Sequence, residues 1–183
     1  MSTITGNNII AAVSGGTLAL TTLVGKDGGA TGSDVLLRTP ATIVGEYIIA
    51  VLALMTRPSA GDAWPLYISH LPDNDNVETD AGAIYDTSGN KDGRLMIGPV
   101  IQHFGIQIRF RSRDYNTGFE KIEDVAASLD AILRATVIMD TEQYRIQNMT
   151  RTTPIISLGL EPESTKRRFL FTVNFIASIK EIS

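Results

Sequence analysis

The side chains able to do chemistry are few and far apart in the chain. His70 and His103 are the only imidazoles among 183 residues, and cysteine is absent, which removes thiolate nucleophiles, disulfides and sulfur-based zinc sites. Asp73, Asp75 and Asp80 lie near His70 and could in principle hold a hard cation. Val77 breaks the alternating Asp/Asn pattern of a calcium loop and the required glycine is missing, so a solvated acidic loop is the better reading. Gly25-Lys26 has the look of the end of a phosphate loop. However, Leu20 stands where the first glycine belongs and Asp27 where Ser or Thr belongs, so a linker is expected there instead. Nor does any Ser/His/Asp set stand out against what a chain of this size offers by chance. The expectation is a protein without catalytic centre, metal or cofactor.

Asp86-Thr87-Ser88-Gly89 shares three residues with the Asp-Thr-Gly turn of aspartic proteases, but its glycine comes one residue late and no second copy occurs. Arg109, Arg111 and Arg113 differ in kind, because period two places all three on one face of a strand. Two readings stand side by side for them. One is a solvated face of paired charges; the other is a face that packs on a second subunit or meets phosphate, which suits the bidentate guanidinium.

Charge separates along the chain. The net charge is -4, and positions 63–99 carry six acids against Lys91 and Arg94, so this stretch alone sums to 2 - 6 = -4. A balance of this sign, with pI near 5.1, argues against a protein whose main task is gripping nucleic acid. The most apolar stretch, 43–55, contains Glu46 and falls short of the ~20 residues a bilayer needs. With no secretory signal evident at the start, a soluble protein made in a cytoplasm is expected.

Positions 1–38 are rich in Gly, Thr, Ser and Ala, with apolar islands at Ile9-Ile10 and Leu18 to Leu20, and 25–32 reads as a turn or linker. This segment is expected to form an extended N-terminal arm, with one domain over 39–183. Thr39-Pro40 opens a helix whose stripe is Val44, Tyr47 or Ile48, Val51 and Met55, and Pro58 stops it. Short strands are expected at 64–69 and 83–85, the second closed by a turn at 86–89. Ile106, Ile108 and Phe110 alternate with Gln107, Arg109 and Arg111 in the clearest strand, 105–113. Asp114 caps a second helix with the stripe Tyr115, Phe119, Ile122, Ala126, Leu129 and Leu133, and Gly118 inside it suggests close backbone packing. Strands follow at 144–147, 155–160 and 168–180, the last two paired antiparallel across a turn. Two helices and about five strands predict an α+β domain of two layers: a mixed, mostly antiparallel sheet with both helices packed on one face.

Three segments, taken in order, resemble a known family. They are Trp64-Pro65-Leu66-Tyr67-Ile68-Ser69-His70-Leu71-Pro72-Asp73, then Ile84-Tyr85-Asp86-Thr87-Ser88-Gly89 with Arg94-Leu95-Met96, then Gly105-Ile106-Gln107-Ile108-Arg109-Phe110-Arg111-Ser112-Arg113-Asp114-Tyr115 leading into the helix at Phe119. With Leu158-Gly159 and Arg167-Arg168 near the end, the chain from 42 to 182 resembles the minor capsid and tail terminator proteins of tailed bacteriophages. The resemblance implies a virion protein, not an enzyme, assembled in the host cytoplasm and placed at the head–tail junction. It implies a homo-hexameric ring that stops growth of the tail tube, meets the tail tube protein and the head connector or completion protein, and lets DNA pass through its lumen. Another phage neck component of related fold, or a small hydrolase, is the alternative. No family pattern accounts for 1–38.

Three surfaces are expected to carry that assembly. Ile9, Ile10, Leu18 and Leu20 would let the arm cross to a neighbouring subunit. Asp73, Asp75, Glu78 and Asp80 would face the lumen or tube and repel phosphate. Arg109 and Arg111, with Arg113 contributing less, would pair across an uncovered sheet face with acids of a neighbour, alongside Leu170, Thr172, Asn174 and Ile176.

Overall fold

The computed structural model describes residues 2–6, 9–14, 17–23, 36–59, 63–72, 80–91, 102–161 and 167–182, with 2–23 described by backbone pairing. Strands β1 (Ser2–Gly6), β2 (Ile9–Ser14) and β3 (Thr17–Leu23) pair antiparallel in the order β1-β2-β3, a sheet of their own. The segment expected as an extended arm is therefore a meander, whose β-branched and Thr-rich runs suit strands. Ile9 and Ile10 lie in β2, Leu18 and Leu20 in β3.

The body begins with helix α1 (Pro40–Glu46), capped by Thr39, whose hydroxyl accepts from the Thr42 N–H. A single π turn, Tyr47–Val51, takes over from α1, and the chain leaves helical geometry at Ala53 with φ 52°. The helix thus ends well before Pro58. The wider π turn rotates the stripe, so Val51 is exposed while Met55 reaches the core from beyond the helix. Strands β4 (Leu66–Ile68), β5 (Ala81–Lys91) and β6 (Gln102–Ser112) follow, then helix α2 (Tyr115–Asp130), β7 (Leu133–Met139), β8 (Glu142–Arg151), β9 (Ile156–Leu160) and β10 (Phe169–Ile182). The sheet order is β4-β5-β6-β10-β8-β7, with β9 also paired to β10; only β4–β5 is parallel. This is an α+β fold.

One face of the sheet carries both helices. Ile84 pairs with Ile108 and Phe110 with Phe171, and these residues, with Ile106, Val173 and Phe175, are buried on that face. α1 lies over Ile68 and Ile84 at Gly45, and α2 over Phe171 and Ser112 at Gly118. Asp86, expected in a turn, sits inside the longer β5, and its carboxylate accepts from the Ala41 N–H at 2.8 Å. A strand acid thereby satisfies a free donor of the first turn of α1.

β7 is an element the sequence reading missed. The spacing places Leu133 on the stripe of α2, yet the helix stops at Asp130 and Leu133 is 88% exposed at the start of β7. In β8, Tyr144 and Ile146 are buried, and a bulge at Gln147 then shifts parity so that Met149 also turns to the core.

Gly118 is the tightest helix–sheet contact. A Cβ there would lie 2.7 Å from both the Phe171 ring and the Ser112 Cβ, neither of which can swing away. Alanine favours a helix interior over glycine by ~1 kcal/mol, but overpacking costs ~1–3 kcal/mol. Gly118→Ala is therefore expected to lower the urea midpoint of unfolding; a raised midpoint would show that the contact is looser than described.

Candidate functional site

The arginine strand separates into three different environments. Arg111 is fully buried, and its Nη1 donates to the Pro72 carbonyl at 2.7 Å. Ala81 and Ala83, on the same face of the neighbouring β5, are buried as well. The chain itself therefore covers this face around Arg111, and the premise of an uncovered sheet fails there. Arg113 lies past the end of β6, exposed, and is not on the strand face with the other two. Its N–H donates to Asp80 Oδ1 at 2.9 Å, and the Ser112 hydroxyl donates to the same oxygen at 2.8 Å. Asp80 is thus a clamp on the β6–α2 junction, not an acid of an open loop. Asp73, Asp75 and Glu78 lie outside the described residues.

Arg109 alone is exposed on the second face. Its guanidinium sits 5.3 Å above the Tyr85 ring, and its Nε donates to Gln107 Oε1 at 2.9 Å. Gln107 passes the network on to Asn174 at 3.1 Å. Burial raises the Tyr85 pKa, and Arg109 and Arg111 oppose that rise. Leu170, Asn174 and Ile176 are half-buried, and Thr172 is buried opposite Arg109.

The histidines are held by local partners. His103 Nδ1 meets Ser178 Oγ at 2.8 Å directly across the β6–β10 pair, and His70 lies against Tyr67 with Nδ1 3.0 Å from the Ile68 carbonyl. Among the described residues no cluster of three or more His, Asp or Glu side chains is placed to hold a metal ion, and no helix is long and apolar enough to cross a membrane.

Ion pairs instead fasten the loops to the sheet. Arg168, buried, forms a double contact with Glu161 at 2.6 and 2.7 Å. Arg151 spans Asp130 at 2.8 Å and Glu123 at 3.1 Å, tying β8 to α2. Burial lowers the Arg151 pKa, but these two acids outweigh it and the net shift is upward. Arg38, at the end of the N-terminal segment, reaches Glu142 at 2.9 Å and Asp140 at 3.2 Å on the β7–β8 turn. Hydrogen bonds from Arg38 and then Tyr144 hold the Glu142 carboxyl below its usual range.

The surface that most invites a partner is one the sequence reading did not single out. All five residues of β9 are exposed, including Ile156, Leu158 and Leu160, although β9 belongs to the sheet. Gly159, at φ 83°, accompanies a register shift between Leu170 and Phe171 opposite. Leu160 pairs with Phe169, whose ring meets Tyr115 edge-on at 5.4 Å; Tyr115 stacks on Phe119 at 6.4 Å, and both are exposed. β9 was legible as an apolar run and its pairing with β10 as a turn. Its exposure was not, because an apolar run reads as buried. The one available signal was that Ile156, Leu158 and Leu160 are flanked only by Ser157 and Gly159, with no charge from 152 to 160. Neither a protein-family model nor a curated protein matches the chain.

Two measurements follow from this geometry. Arg111→Ala removes a buried side chain and strands the Pro72 carbonyl, so it should cost on the order of 2–4 kcal/mol of folding stability. Guanidinium unfolding reads that cost; unchanged stability with lost self-association would return Arg111 to an intersubunit role. Tyr144, buried and donating to Glu142 Oε2 at 3.0 Å, has its pKa pushed up to about 12 from 10.0, by burial first and Glu142 second. The folded state then holds a proton that the unfolded chain releases, so this contribution is complete below pH 10.0 and is lost as pH rises towards about 12. Tyr144→Phe should flatten that alkaline decline in a pH series of thermal melts, and an unchanged slope would contradict it.

Proposed function

We propose that this chain is a structural subunit of a tailed-phage virion. In this reading it is a tail terminator that closes copies of itself into a ring, six in the family it resembles, between the tail tube and the head connector. The observation that carries the reading is β9: an edge strand with every residue exposed, three of them large and apolar, beside the Tyr115–Phe119 shelf. Proteins that work alone blunt such edges with lysine, proline or a covering loop. An uncharged edge next to exposed aromatic rings is instead what a subunit interface uses.

The motif residues support the same reading by what they build. Trp64, at φ 60°, packs its ring 5.7 Å from Phe110, which brings the Trp-Pro segment onto β6. Arg111 holds Pro72, Asp80 holds Ser112 and Arg113, and Asp114 caps α2 by accepting from the Thr117 N–H at 2.8 Å. The residues that carry the resemblance thus brace one strand–helix junction, as befits a scaffold. In the ring, DNA would pass through the lumen without specific binding, and the tail tube protein and head completion protein would be the neighbours along the axis.

Size-exclusion chromatography with light scattering tests this directly. The expected mass is about six times the 19.8 kDa of the chain, with ring-shaped particles in negative-stain images. A monomer across the micromolar range would sink the proposal.

A further inference from the structure

The face of the sheet that carries no helix segregates charge. Lys180 of β10 pairs directly with Arg145 of β8, which pairs in turn with Thr136 of β7, and all three are exposed. Farther along the same face Arg109 pairs with Thr172 of β10, and Arg109 is exposed too. Among the described residues this face, followed in alternation from Tyr85, Gln107, Asn174, Thr150 and Thr136, carries no Asp or Glu. Elsewhere cations are neutralised: Arg38, Arg57, Arg151 and Arg168 each meet a carboxylate, on the loops or the helix side.

Like charges directly opposite one another on a sheet are destabilising. Arg145 and Lys180 are such a pair, and among the described residues no carboxylate meets either of them or Arg109. The arrangement calls for a negative partner from outside the chain, and the spacing of the cations sets its length. Lys180 and Thr172, the residue opposite Arg109, are 180 - 172 = 8 residues apart on β10. At ~3.3 Å per residue this separation is about 26 Å. A small anion meets only one end of it. A nucleic acid duplex, with one phosphate charge per ~1.7 Å of axis, meets both when laid along β10.

The rest of the face suits a backbone and not bases. Between the two ends lie the Gln107–Asn174 and His103–Ser178 pairs, whose polar atoms can hydrogen-bond to phosphate and sugar oxygens. Its two tyrosine rings among the described residues are both engaged, Tyr85 beneath Arg109 and Tyr67 against His70. Neither is left to stack on an unpaired base.

We infer that this face binds the phosphate backbone of double-stranded DNA through Arg109, Arg145 and Lys180, without reading its sequence. The net charge of -4 does not oppose such binding, because the described acids lie off the face. The inference goes beyond the ring reading and does not need it, since the face belongs to a single chain.

Fluorescence anisotropy of the full chain with a labelled duplex of random sequence tests it. Three phosphate contacts predict an affinity that falls about 40-fold between about 50 and 200 mM salt. Arg145→Gln/Lys180→Gln, at two exposed positions, should stay folded, bind at least tenfold more weakly at the lower salt, and lose only about fourfold over the same range. Arg57→Gln/Lys121→Gln removes equal charge away from this face and should bind as the unsubstituted chain does; equal weakening there would overturn the inference. So would a lack of binding at the lower salt, or tighter binding of the corresponding single strand. Displacement by polyglutamate as complete as by unlabelled duplex would overturn it in favour of an acidic protein partner. A smaller light-scattering mass for Arg145→Gln/Lys180→Gln would overturn it in favour of a contact between copies. Ring-sized assemblies that bind no duplex would leave the ring standing without this inference, and duplex binding by a monomer would uphold the inference and overturn the ring.

Discussion

The antiparallel register of β6 with β10 is the constraint on which the rest of the body depends. Ten consecutive residues pair, from Phe169 opposite Ser112 to Ser178 opposite His103. That register lines up Phe110, Ile108 and Ile106 with Phe171, Val173 and Phe175, and so creates the apolar floor on which α2 rests. A slip of β6 by one residue would turn Phe110, Ile108 and Ile106 to the opposite face and bring Arg109 and Arg111 beneath the helix, against Phe171, Val173 and Phe175. Such a state would bury two guanidinium groups without the Pro72 carbonyl to receive one of them. The register is thus enforced from both faces, by apolar burial on one and by the position of Arg111 on the other.

Once that pair is set, the loops are placed by side chains that reach across it. Asp80 ties the start of β5 to the end of β6, and Arg151 ties β8 to α2. Asp86 receives the first turn of α1, and Arg38 fixes the point where the N-terminal segment meets the body. These contacts explain why the sheet can leave one neutral edge bare. Orientation is secured by charges spread over the body, so β9 is not required to contribute to its own subunit's stability through burial.

Much of this was legible in sequence, for identifiable reasons. β6 was plain because Ile106, Ile108 and Phe110 alternate strictly with polar residues, and α2 because Asp114 and the spacing of Ile122, Ala126 and Leu129 agree. Gly118 announced its close contact by its cost to a helix. The misreadings share a cause as well. Leu133 continues the spacing of α2 perfectly, and nothing local says that the chain turns at Ala131; the strand begins because β8 is there to pair with it. Asp86 looked like a turn residue because its partner, the amide of Ala41, is 45 positions away. Arg111 follows the period of Arg109, and periodicity predicts a face correctly without saying what covers it. The aromatic shelf at Tyr115 and Phe119 was read as core for the same reason. Propensity and period report local geometry; burial is decided by elements distant in sequence.

The position of β10 has a consequence for the order of events during synthesis. It follows every other described strand in sequence, yet it sits at the middle of the sheet and joins β4-β5-β6 to β7-β8 and β9. Until its residues leave the ribosome, those groups share no strand, and the apolar face of β6 has helices above it but no neighbour on one side. The first three strands, by contrast, pair only with one another and can form as soon as they emerge. At ~5–20 residues per second, the 182 - 23 = 159 positions between Leu23 and Ile182 take roughly 8–30 s to translate. Throughout that interval the chain presents a finished, uncharged hairpin sheet ahead of an unfinished body. On a polysome, neighbouring nascent chains hold such sheets at high local concentration before any of them has a completed β9 edge.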